Sequence, residues 1–228
     1  MTEAIIVALD VEDLEEARKY LGLLSPVVKI FKIGPRLFIP YGNQIIQLVR
    51  SYNCEVFLDL KLYDIPTQVA ESVRRIADLE VKMFTVHALG GERMISEARK
   101  VLKKYLPSQR PLMLAVTVVT SMEEKDLHFL GFKNKINILV YKLAKLALKA
   151  GADGIVCSVK ELEYLRAKLG KNFIGVTPGI RLKKTDRDDQ RRIATPQEAL
   201  SAGADYMVMG RAVLNARDPL KIVKEVMK

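Results

Sequence analysis

Short apolar runs alternate with longer amphipathic segments along the whole chain. Eight of these runs are mostly continuous rather than alternating, as in parallel strands that are covered on both faces. They predict strands at Ile5–Leu9, Val28–Ile33, Glu55–Leu60, Met83–Val86, Leu112–Thr117, Gly154–Cys157, Phe173–Thr177 and Tyr206–Met209.

The segments between these runs carry apolar residues at helical spacing. Two junctions from helix to strand, Lys149–Asp153 and Ser201–Asp205, are near duplicates, and each contains a glycine where a helix is expected to stop. The predicted helices are Glu12–Leu24, Gln44–Ser51, Thr67–Asp78, Arg93–Tyr105, Ile136–Ala150, Lys160–Leu169, Pro196–Ala202 and Pro219–Lys228.

The number of units predicts the architecture. Eight strand–helix units in 228 residues average about 28 residues each, close to the length of a βαβ element. A doubly wound sheet has fewer strands, so the pattern predicts an α/β fold with one (β/α)8 TIM barrel over residues 1–228. The polar insertion Arg181–Arg192 follows the seventh strand, where barrel loops carry the chemistry, and we expect it to cover a substrate.

The charge balance raises the possibility of a polyanionic partner. The chain has 37 Lys and Arg against 27 Asp and Glu, which gives a net charge of +10 and makes nucleic acid a candidate. However, Lys142, Lys145 and Lys149 lie at helical spacing opposite apolar residues, which is typical of a solvated helix face. We therefore expect no nucleic-acid partner, while a small anionic substrate remains compatible with the charge.

Composition also bears on the compartment. The longest apolar runs, such as Ala4–Leu9 and Leu112–Thr120, are far shorter than the roughly 18 residues that a membrane span needs. Met1–Glu3 does not resemble the start of a secretory signal. Cys54 and Cys157 form no paired motif and suit a reducing compartment. These features predict a cytoplasmic protein that does not associate with membranes.

Charged residues lie where several predicted strands end. Asp10 follows the first strand, Lys32 is near the end of the second, and Asp59 and Lys61 are at the end of the third. Because side chains alternate along a strand, Asp59 and Lys61 should point to the same side. With Asp64 they form a D-x-K-x-x-D pattern, which indicates either a functional charge cluster or a strand-end ion pair followed by an Asp64 helix cap.

The run Asp59–Pro66, DLKLYDIP, resembles the signature of the orotidine 5'-phosphate decarboxylases. Other segments resemble this family in the same order, nearly from end to end of the chain. They are Ala8–Asp10, Phe31–Gly34, Val116–Ser121, Val176–Arg181 with the downstream Asp189–Arg192, and Met209–Arg211.

The resemblance implies loss of CO2 from the pyrimidine C6 of orotidine 5'-phosphate with no metal or organic cofactor. It assigns Lys61 as the acid beside C6 and places Asp59 against the substrate carboxylate. Lys32 and Asp64 would hold these two residues in register and contact ribose hydroxyls, which Asp10 would also bind. In the family the second aspartate of the motif enters the neighbouring subunit's site, so the resemblance also implies a homodimer with shared active sites.

The remaining implied contacts involve the rest of the substrate. Barrels often bind phosphate with the loops after strands seven and eight, and the phosphate residues implied here are Pro178, Arg181, Gln190, Gly210 and Arg211. Thr120 would contact the pyrimidine edge through its hydroxyl, with Ser121 as the alternative. The family more often has Asn-Thr after Asp-Ile-Pro, whereas this chain has Thr67 and Gln68, so either could make the ribose contact.

Two other functions compete with this interpretation. Sugar-phosphate decarboxylases or aldolases of the wider superfamily, such as 3-keto-gulonate 6-phosphate decarboxylase, share the D-x-K-x-x-D pattern but use Mg2+. Lys32 stands where their additional carboxylate ligand would be and would repel a metal, and His87 and His128 lack ligand spacing. The more remote alternative, a basic nucleic-acid-binding protein, has no motif to support it. His87 is expected to be a satisfied histidine at the barrel mouth.

Overall fold

A computed structural model describes residues 4–182 and 192–227 as a closed parallel barrel. Each strand pairs with the next along the chain, and the last pairs with the first, which confirms the predicted (β/α)8 architecture. The strands are β1 (Ile5–Ala8), β2 (Ile30–Ile33), β3 (Glu55–Leu62), β4 (Met83–His87), β5 (Leu112–Val116), β6 (Gly154–Val156), β7 (Ile174–Thr177) and β8 (Tyr206–Met209).

The outer layer consists of helices. In chain order they are α1 (Leu14–Leu24), α2 (Pro35–Tyr41), α3 (Asn43–Ser51), α4 (Pro66–Asp78), α5 (Gly91–Leu102), α6 (Glu124–Phe129), α7 (Ile136–Lys149), α8 (Val159–Leu169), α9 (Pro196–Ser201), α10 (Arg211–Leu214) and α11 (Pro219–Met227). A 3-10 helix, Ala88–Gly90, follows β4.

The predicted elements are present with shifted ends. The helix expected over Arg93–Tyr105 stops at Leu102, and β3 runs two residues beyond the expected Leu60. The sequence pattern did not predict α2, α6 and α10, because four to seven residues are too few to show a helical period. Pro40 inside α2 makes that helix harder still to predict, because proline is unfavourable inside a helix.

Two apolar layers hold the barrel together. A larger one lies between the strands and the helices, and a smaller one, the interior plug, fills the barrel itself. The buried members of the interior plug are Ile6, Ala8, Ile30, Phe57, Met83, Leu114, Val176 and Val208. Such a packed interior leaves room for polar groups only at the ends of the strands.

The surface agrees with the expectation for the lysine-rich helix. In α7, Leu143 and Ala147 are buried while Lys142 and Lys145 are exposed, which confirms a solvated basic face. Across residues 4–182 and 192–227, no helix combines the length and the apolar character needed to cross a membrane.

The base of the insertion after β7 is closed by backbone pairing. Ile180 and Ala194 form a parallel bridge, in which the Arg181 N–H donates to the Ala194 carbonyl at 2.9 Å. The Ala194 N–H donates to the Gly179 carbonyl at 3.2 Å. Gly179 has a φ of 80°, a left-handed conformation that favours glycine at this turn.

Arg192 fixes the end of the same insertion to two neighbouring units. Its guanidinium forms an ion pair with the buried Glu161 of α8 and donates to the carbonyls of Val118, at 3.2 Å, and Val119, at 2.7 Å. The chain therefore leaves β7 and returns to the barrel at fixed points, while residues 183–191 lie outside the described ranges.

Candidate active site

A polar layer lies directly above the interior plug. Lys32 on β2, Asp59 on β3 and Thr85 on β4 each follow a plug residue by two positions. Because side chains alternate along a strand, a step of two residues keeps the side chain on the interior face and moves it towards the strand's carboxyl end. The sequence thus places charged groups at the mouth of the barrel by continuing the same alternation that builds its interior.

Four charged residues form a continuous row at this mouth, here called the mouth cluster: Asp10, Lys32, Asp59 and Lys61. The Lys61 ammonium is 2.9 Å from Asp59 Oδ2, and the Lys32 ammonium is 3.5 Å from the same oxygen. Lys32 also lies 3.3 Å from Asp10 Oδ1. The structure therefore brings together the residues that the sequence placed at the ends of three different strands.

Burial and charge oppose one another within the mouth cluster. The Asp59 side chain is 12% exposed, and burial alone would raise its pKa, but Lys32, Lys61 and the hydroxyl of Thr85 together hold that pKa below the usual aspartate value. Burial alone would lower the pKa of Lys32, yet Asp59 and Asp10 raise it above the ordinary lysine value. Both groups are therefore charged at neutral pH.

Lys61 reaches Asp59 by a different route from the one expected. Regular alternation would suffice in an undistorted strand, but the pairing of β3 with β4 shifts between Leu58 and Leu62. Lys61 lies within this irregularity and has a φ of 50°, a backbone conformation that residues other than glycine rarely adopt. Asp59 and Lys61 do point to the same side as predicted, since they are in contact, but local backbone distortion rather than simple alternation sets their geometry.

Thr85 belongs to the same site although no sequence motif pointed to it. It is fully buried, its hydroxyl donates to Asp59 Oδ1 at 2.9 Å, and it accepts the Lys61 backbone N–H at 2.9 Å. The signal that would have found it is a polar residue on the interior face of the run Met83–Val86, where the other interior position is apolar.

The mouth cluster forms one wall of a cavity of about 220 Å3. Its other walls include apolar side chains from the plug and from the end of β5, together with Cys157. Nine of the sequence-predicted site residues line it: Asp10, Lys32, Asp59, Lys61, Thr120, Pro178, Arg181, Gly210 and Arg211. Residues predicted from six separate strand ends therefore share a single site.

The ends of β7 and β8 supply the cationic side of this cavity. Gly210 precedes the first turn of α10, whose first residue is Arg211. A Cβ at Gly210 would make ordinary van der Waals contacts with the Ala8 Cβ at 3.5 Å and with Asp10 Oδ2 at 3.6 Å, so this backbone lies beside the end of β1. Arg181 is buried and donates to the Ile180 carbonyl at 3.2 Å. Two arginines beside an accessible backbone suit a dianionic phosphate group.

Three predicted residues lie outside the cavity of their own chain. Asp64, Thr67 and Gln68 are all exposed and do not line it. The alternative role of Asp64 as a helix cap is wrong, because α4 begins at Pro66 and its N-cap is Ile65. Asp64 instead accepts the N–H of Ile65 at 2.6 Å. The remaining prediction, Gln190, lies outside the described residues.

His87 has the structural surroundings expected of a satisfied histidine. Its Nδ1 accepts the Leu89 N–H at 3.3 Å, and its ring lies 5.8 Å from that of Tyr63. Burial, with a smaller contribution from the charge of Lys61, lowers the pKa of His87 below the ordinary value. The imidazole is therefore neutral at pH 7. His87 is not among the residues that line the cavity.

The described residues do not group as metal ligands. Among residues 4–182 and 192–227, no three His, Cys, Asp or Glu side chains cluster in a way that could hold a metal ion. At the strand-two position where the metal-dependent sugar-phosphate decarboxylases carry a carboxylate, the ammonium of Lys32 contacts both neighbouring aspartates.

Comparison with known proteins identifies the family. The profile described as "Orotidine 5'-phosphate decarboxylase / HUMPS family" matches residues 3–226. The chain belongs to this family. The orotidine 5'-phosphate decarboxylase of Pasteurella multocida is 45% identical over 226 residues, which cover 99% of this chain and 97% of that protein. The enzyme of the same name from Coxiella burnetii is 40% identical over 224 residues, or 98% and 95% of the two chains.

Solved structures of the family agree with the barrel described above. The crystal structure of orotidine 5'-phosphate decarboxylase from Lactobacillus acidophilus superimposes with a TM-score of 0.86 at 34% sequence identity. The match covers 99% of this chain and 97% of that one. The resemblance inferred from DLKLYDIP and the accompanying segments is therefore confirmed.

Proposed function

We propose that this chain converts orotidine 5'-phosphate to uridine 5'-phosphate and CO2 in pyrimidine synthesis, with the mouth cluster as its catalytic centre. The carboxy-lyase activity follows from the family and from its named relatives. The observation that supports the assignment of residues is the row Lys32–Asp59–Lys61, which faces one cavity together with Gly210 and Arg211.

The chemical difficulty of the reaction is the carbanion at C6, because no adjacent carbonyl or imine accepts its electrons. The side chain of Lys61 is 39% exposed while its ammonium contacts Asp59, so a ligand in the cavity can reach it. We assign Lys61 as the group that stabilises the developing carbanion and then protonates C6. The C–C bond electrons remain on C6 as CO2 departs, and the lysine proton then forms the new C–H bond.

Asp59 acts on the leaving carboxylate in this proposal. Lys32, Lys61 and Thr85 keep Asp59 ionised, so a substrate carboxylate beside it experiences repulsion between like charges. That repulsion disappears when neutral CO2 leaves, but it assists the reaction only if binding energy from elsewhere holds the substrate in place. Lys32 maintains the alternating charges by pairing with both Asp59 and Asp10, and Lys32 and Asp10 would bind ribose hydroxyls.

The rest of the substrate accounts for the remaining cavity residues. The phosphate would lie against Pro178, Arg181, Gly210 and Arg211, with Gln190 closing over it. Thr120, at the end of the β5 unit, would donate to or accept from the pyrimidine edge. This arrangement places a dianion at the cationic side of the cavity, away from the reacting carbon, where its binding energy can sustain the contact between Asp59 and the substrate.

A homodimer with shared active sites is part of the same proposal. Asp64 lies outside the cavity of its own chain and stands between Tyr63 and Ile65, which are 63% and 62% exposed. Leu89 adds a further exposed apolar side chain after the neighbouring strand. Burial of these side chains against a second copy would carry Asp64, together with Thr67 or Gln68, towards the partner's substrate.

The proposal also includes one barrel domain over residues 1–228, with the insertion 181–192 covering the substrate, and a cytoplasmic location. Cys54 and Cys157 are both buried free thiols, which suits a reducing compartment. Burial raises the pKa of Cys157 well above that of an ordinary thiol, so this cavity residue is not nucleophilic at neutral pH.

Neither competing function is supported by a specific observation. A metal-dependent sugar-phosphate decarboxylase would need an anionic ligand at the position of Lys32. Here that position carries the Lys32 ammonium, which contacts Asp10 and Asp59. The basic face of α7 is a solvated helix surface, and its Lys149 is already paired with Glu92 at 3.2 Å.

The direct test is the loss of orotidine 5'-phosphate absorbance on incubation with purified protein. We expect rapid turnover to uridine 5'-phosphate that is unchanged by excess chelator. Absence of turnover by a folded protein would refute the proposed activity. Turnover that chelator abolishes and Mg2+ restores would instead support the metal-dependent alternative.

A further inference from the structure

β3 departs from regular pairing at the point where its catalytic residues lie. Leu58 pairs with Phe84 and Leu62 pairs with Val86, so three residues of β3, 59–61, face the single residue Thr85 of β4. A bulge of this kind removes ladder hydrogen bonds and redirects the side chains within it. The cost must be offset by other contacts, because a buried backbone N–H left without an acceptor is destabilising.

Lys61 has the most unusual backbone conformation of this bulge. Within the described ranges, three residues other than glycine have a positive φ: Asn53, Lys61 and Glu80. Asn53 and Glu80 follow the ends of α3 and α4, where turns commonly require this conformation. Lys61 alone of the three lies within a strand, so its strain requires specific support.

Thr85 provides that support with one hydroxyl group. It accepts the Lys61 N–H, which the bulge has removed from the ladder, and donates to Asp59 Oδ1, each at 2.9 Å. A threonine hydroxyl can do both at once, since it has one donor and two acceptor sites. Asp59 Oδ2 is thereby left for the Lys61 ammonium at 2.9 Å. One fully buried side chain thus fixes both the backbone of the acid and the rotation of the carboxylate.

We propose that Thr85 is a positioning residue for the decarboxylation, which holds the Lys61 backbone and the Asp59 carboxylate in their reactive arrangement without contacting the substrate. The proposal rests on the function proposed above. Its effect is on geometry and on the ionisation of Asp59, so it should influence kcat more than KM.

The decisive variant is Thr85→Val, which keeps the β-branched shape but removes both hydrogen bonds. We expect kcat to fall by about ten- to a hundredfold, as for the loss of a hydrogen bond to a charged group, while KM changes by less than about threefold. Thr85→Ser retains the hydroxyl and should restore kcat to within about fivefold of the wild-type value. Thr117→Val is a matched control, because Thr117 is also fully buried but its hydroxyl donates to the Val156 carbonyl.

Two measurements separate positioning from simple structural support. Loss of the hydroxyl raises the pKa of Asp59, so the acid limb of the kcat profile should move to higher pH in Thr85→Val only. Asp59 faces Lys32 and Lys61, with Asp10 and His87 beyond them, and all four remain in every variant. In addition, the Lys61 amide should exchange its hydrogen faster in Thr85→Val than in Thr117→Val, a readout that does not depend on activity.

The outcomes are distinguishable from failure of the proposed function. If wild type itself does not consume orotidine 5'-phosphate, the function fails, whereas the amide exchange still tests the role of Thr85. If wild type is active and Thr85→Val keeps kcat within threefold, or Thr117→Val loses as much, the positioning role is refuted. Should Thr85→Val not fold, Thr85→Cys carries a weaker donor and acceptor in a similar volume, and the same thresholds apply to it.

Discussion

Two carboxylates with little exposed surface, at opposite ends of the barrel, illustrate how similar surroundings serve different purposes. Asp59 at the mouth and Asp153 just before β6 have nearly equal exposure, 12% and 13% of the side chain. Each is flanked by two cations. Burial by itself would raise the pKa of each carboxyl group, but the neighbouring cations and hydrogen bonds outweigh burial and hold that pKa below its usual value. The cations, however, are lysines at the mouth and arginines at the floor.

The difference lies in how completely each carboxylate is satisfied. Arg110 binds both oxygens of Asp153 at 2.9 Å, Arg99 adds contacts at 3.1 and 3.3 Å, and the Met113 N–H donates at 2.9 Å. These planar, fixed donors leave little for a further ligand. An ammonium is instead a point charge with three donors on a flexible stem, and only it can give up a proton at neutral pH. The mouth therefore keeps charged groups that a ligand can reach, whereas the donors around Asp153 are used within the protein itself.

Lys61→Ala should produce the largest effect and sharpen this contrast. Under the proposed mechanism the ammonium would serve both as proton donor and as stabilising charge, so we expect a loss of kcat of about 10^4-fold or more. The free energy of unfolding should change little, because the side chain is partly exposed. Steady-state kinetics and urea unfolding measure the two quantities, and activity within tenfold of wild type would exclude Lys61 as the acid.

Mixing two inactive variants tests whether a second chain contributes a residue to the site at the mouth, whereas the Asp153 network is formed within one chain. In a hybrid dimer of Lys61→Ala with Asp64→Ala, one site carries both lesions and the other carries neither. Random exchange at equal concentrations should therefore restore about a quarter of the wild-type activity. The control is either variant alone under the same exchange conditions. If activity stays absent after subunit exchange is confirmed by mass spectrometry, Asp64 does not serve the partner's site.

Arg211→Ala tests the part of the mouth where an arginine does occur. Its guanidinium would bind the phosphate rather than take part in proton transfer, so its loss should lower kcat/KM by about two to four decades. Exposed Arg217 offers the control, since it does not line the cavity, and Arg217→Ala should match wild type.

A substrate without its phosphate gives the discriminating measurement for Arg211. Added phosphite dianion should accelerate decarboxylation of the bare nucleoside by wild type and much less by Arg211→Ala. Equal activation of both proteins would mean that the phosphate does not bind at the end of β8.

Asp153→Asn should have the smallest effect on activity, and it should lower stability rather than turnover. We expect kcat to stay near the wild-type value while the free energy of unfolding at pH 7 falls by about 2–4 kcal/mol, because two arginines lose their buried partner. Since the folded pKa of Asp153 lies below the unfolded value of about 3.9, its contribution is present above that pH and disappears as pH falls through the folded pKa. The difference between the two proteins in urea unfolding should therefore shrink below about pH 4. A constant difference would show that charge is not the cause.

Much of the fold and the charged strand-end positions of the candidate site could be predicted because they follow from local patterns, whereas the other predicted site residues came from the family resemblance. Continuous apolar runs mark strands of a parallel barrel, and a polar residue at the end of such a run marks the mouth, as Lys32 and Asp59 illustrate. The role of Thr85 could not be predicted with the same rule, because it depends on the bulge that brings the Lys61 N–H to its hydroxyl. The Asp153 network was missed for a similar reason, since its arginines come from sequence positions 43 and 54 residues away.

The bridge between Ile180 and Ala194 has a consequence for how this protein could vary. That pairing and the Arg192 anchor hold the two ends of the insertion close together. The entropy of closing a flexible loop grows only with the logarithm of its length, by about 0.6 kcal/mol for each doubling. With the ends fixed in this way, a doubling of the length between the anchors would add only that much closure entropy, so the length of this segment can vary at a small entropic cost.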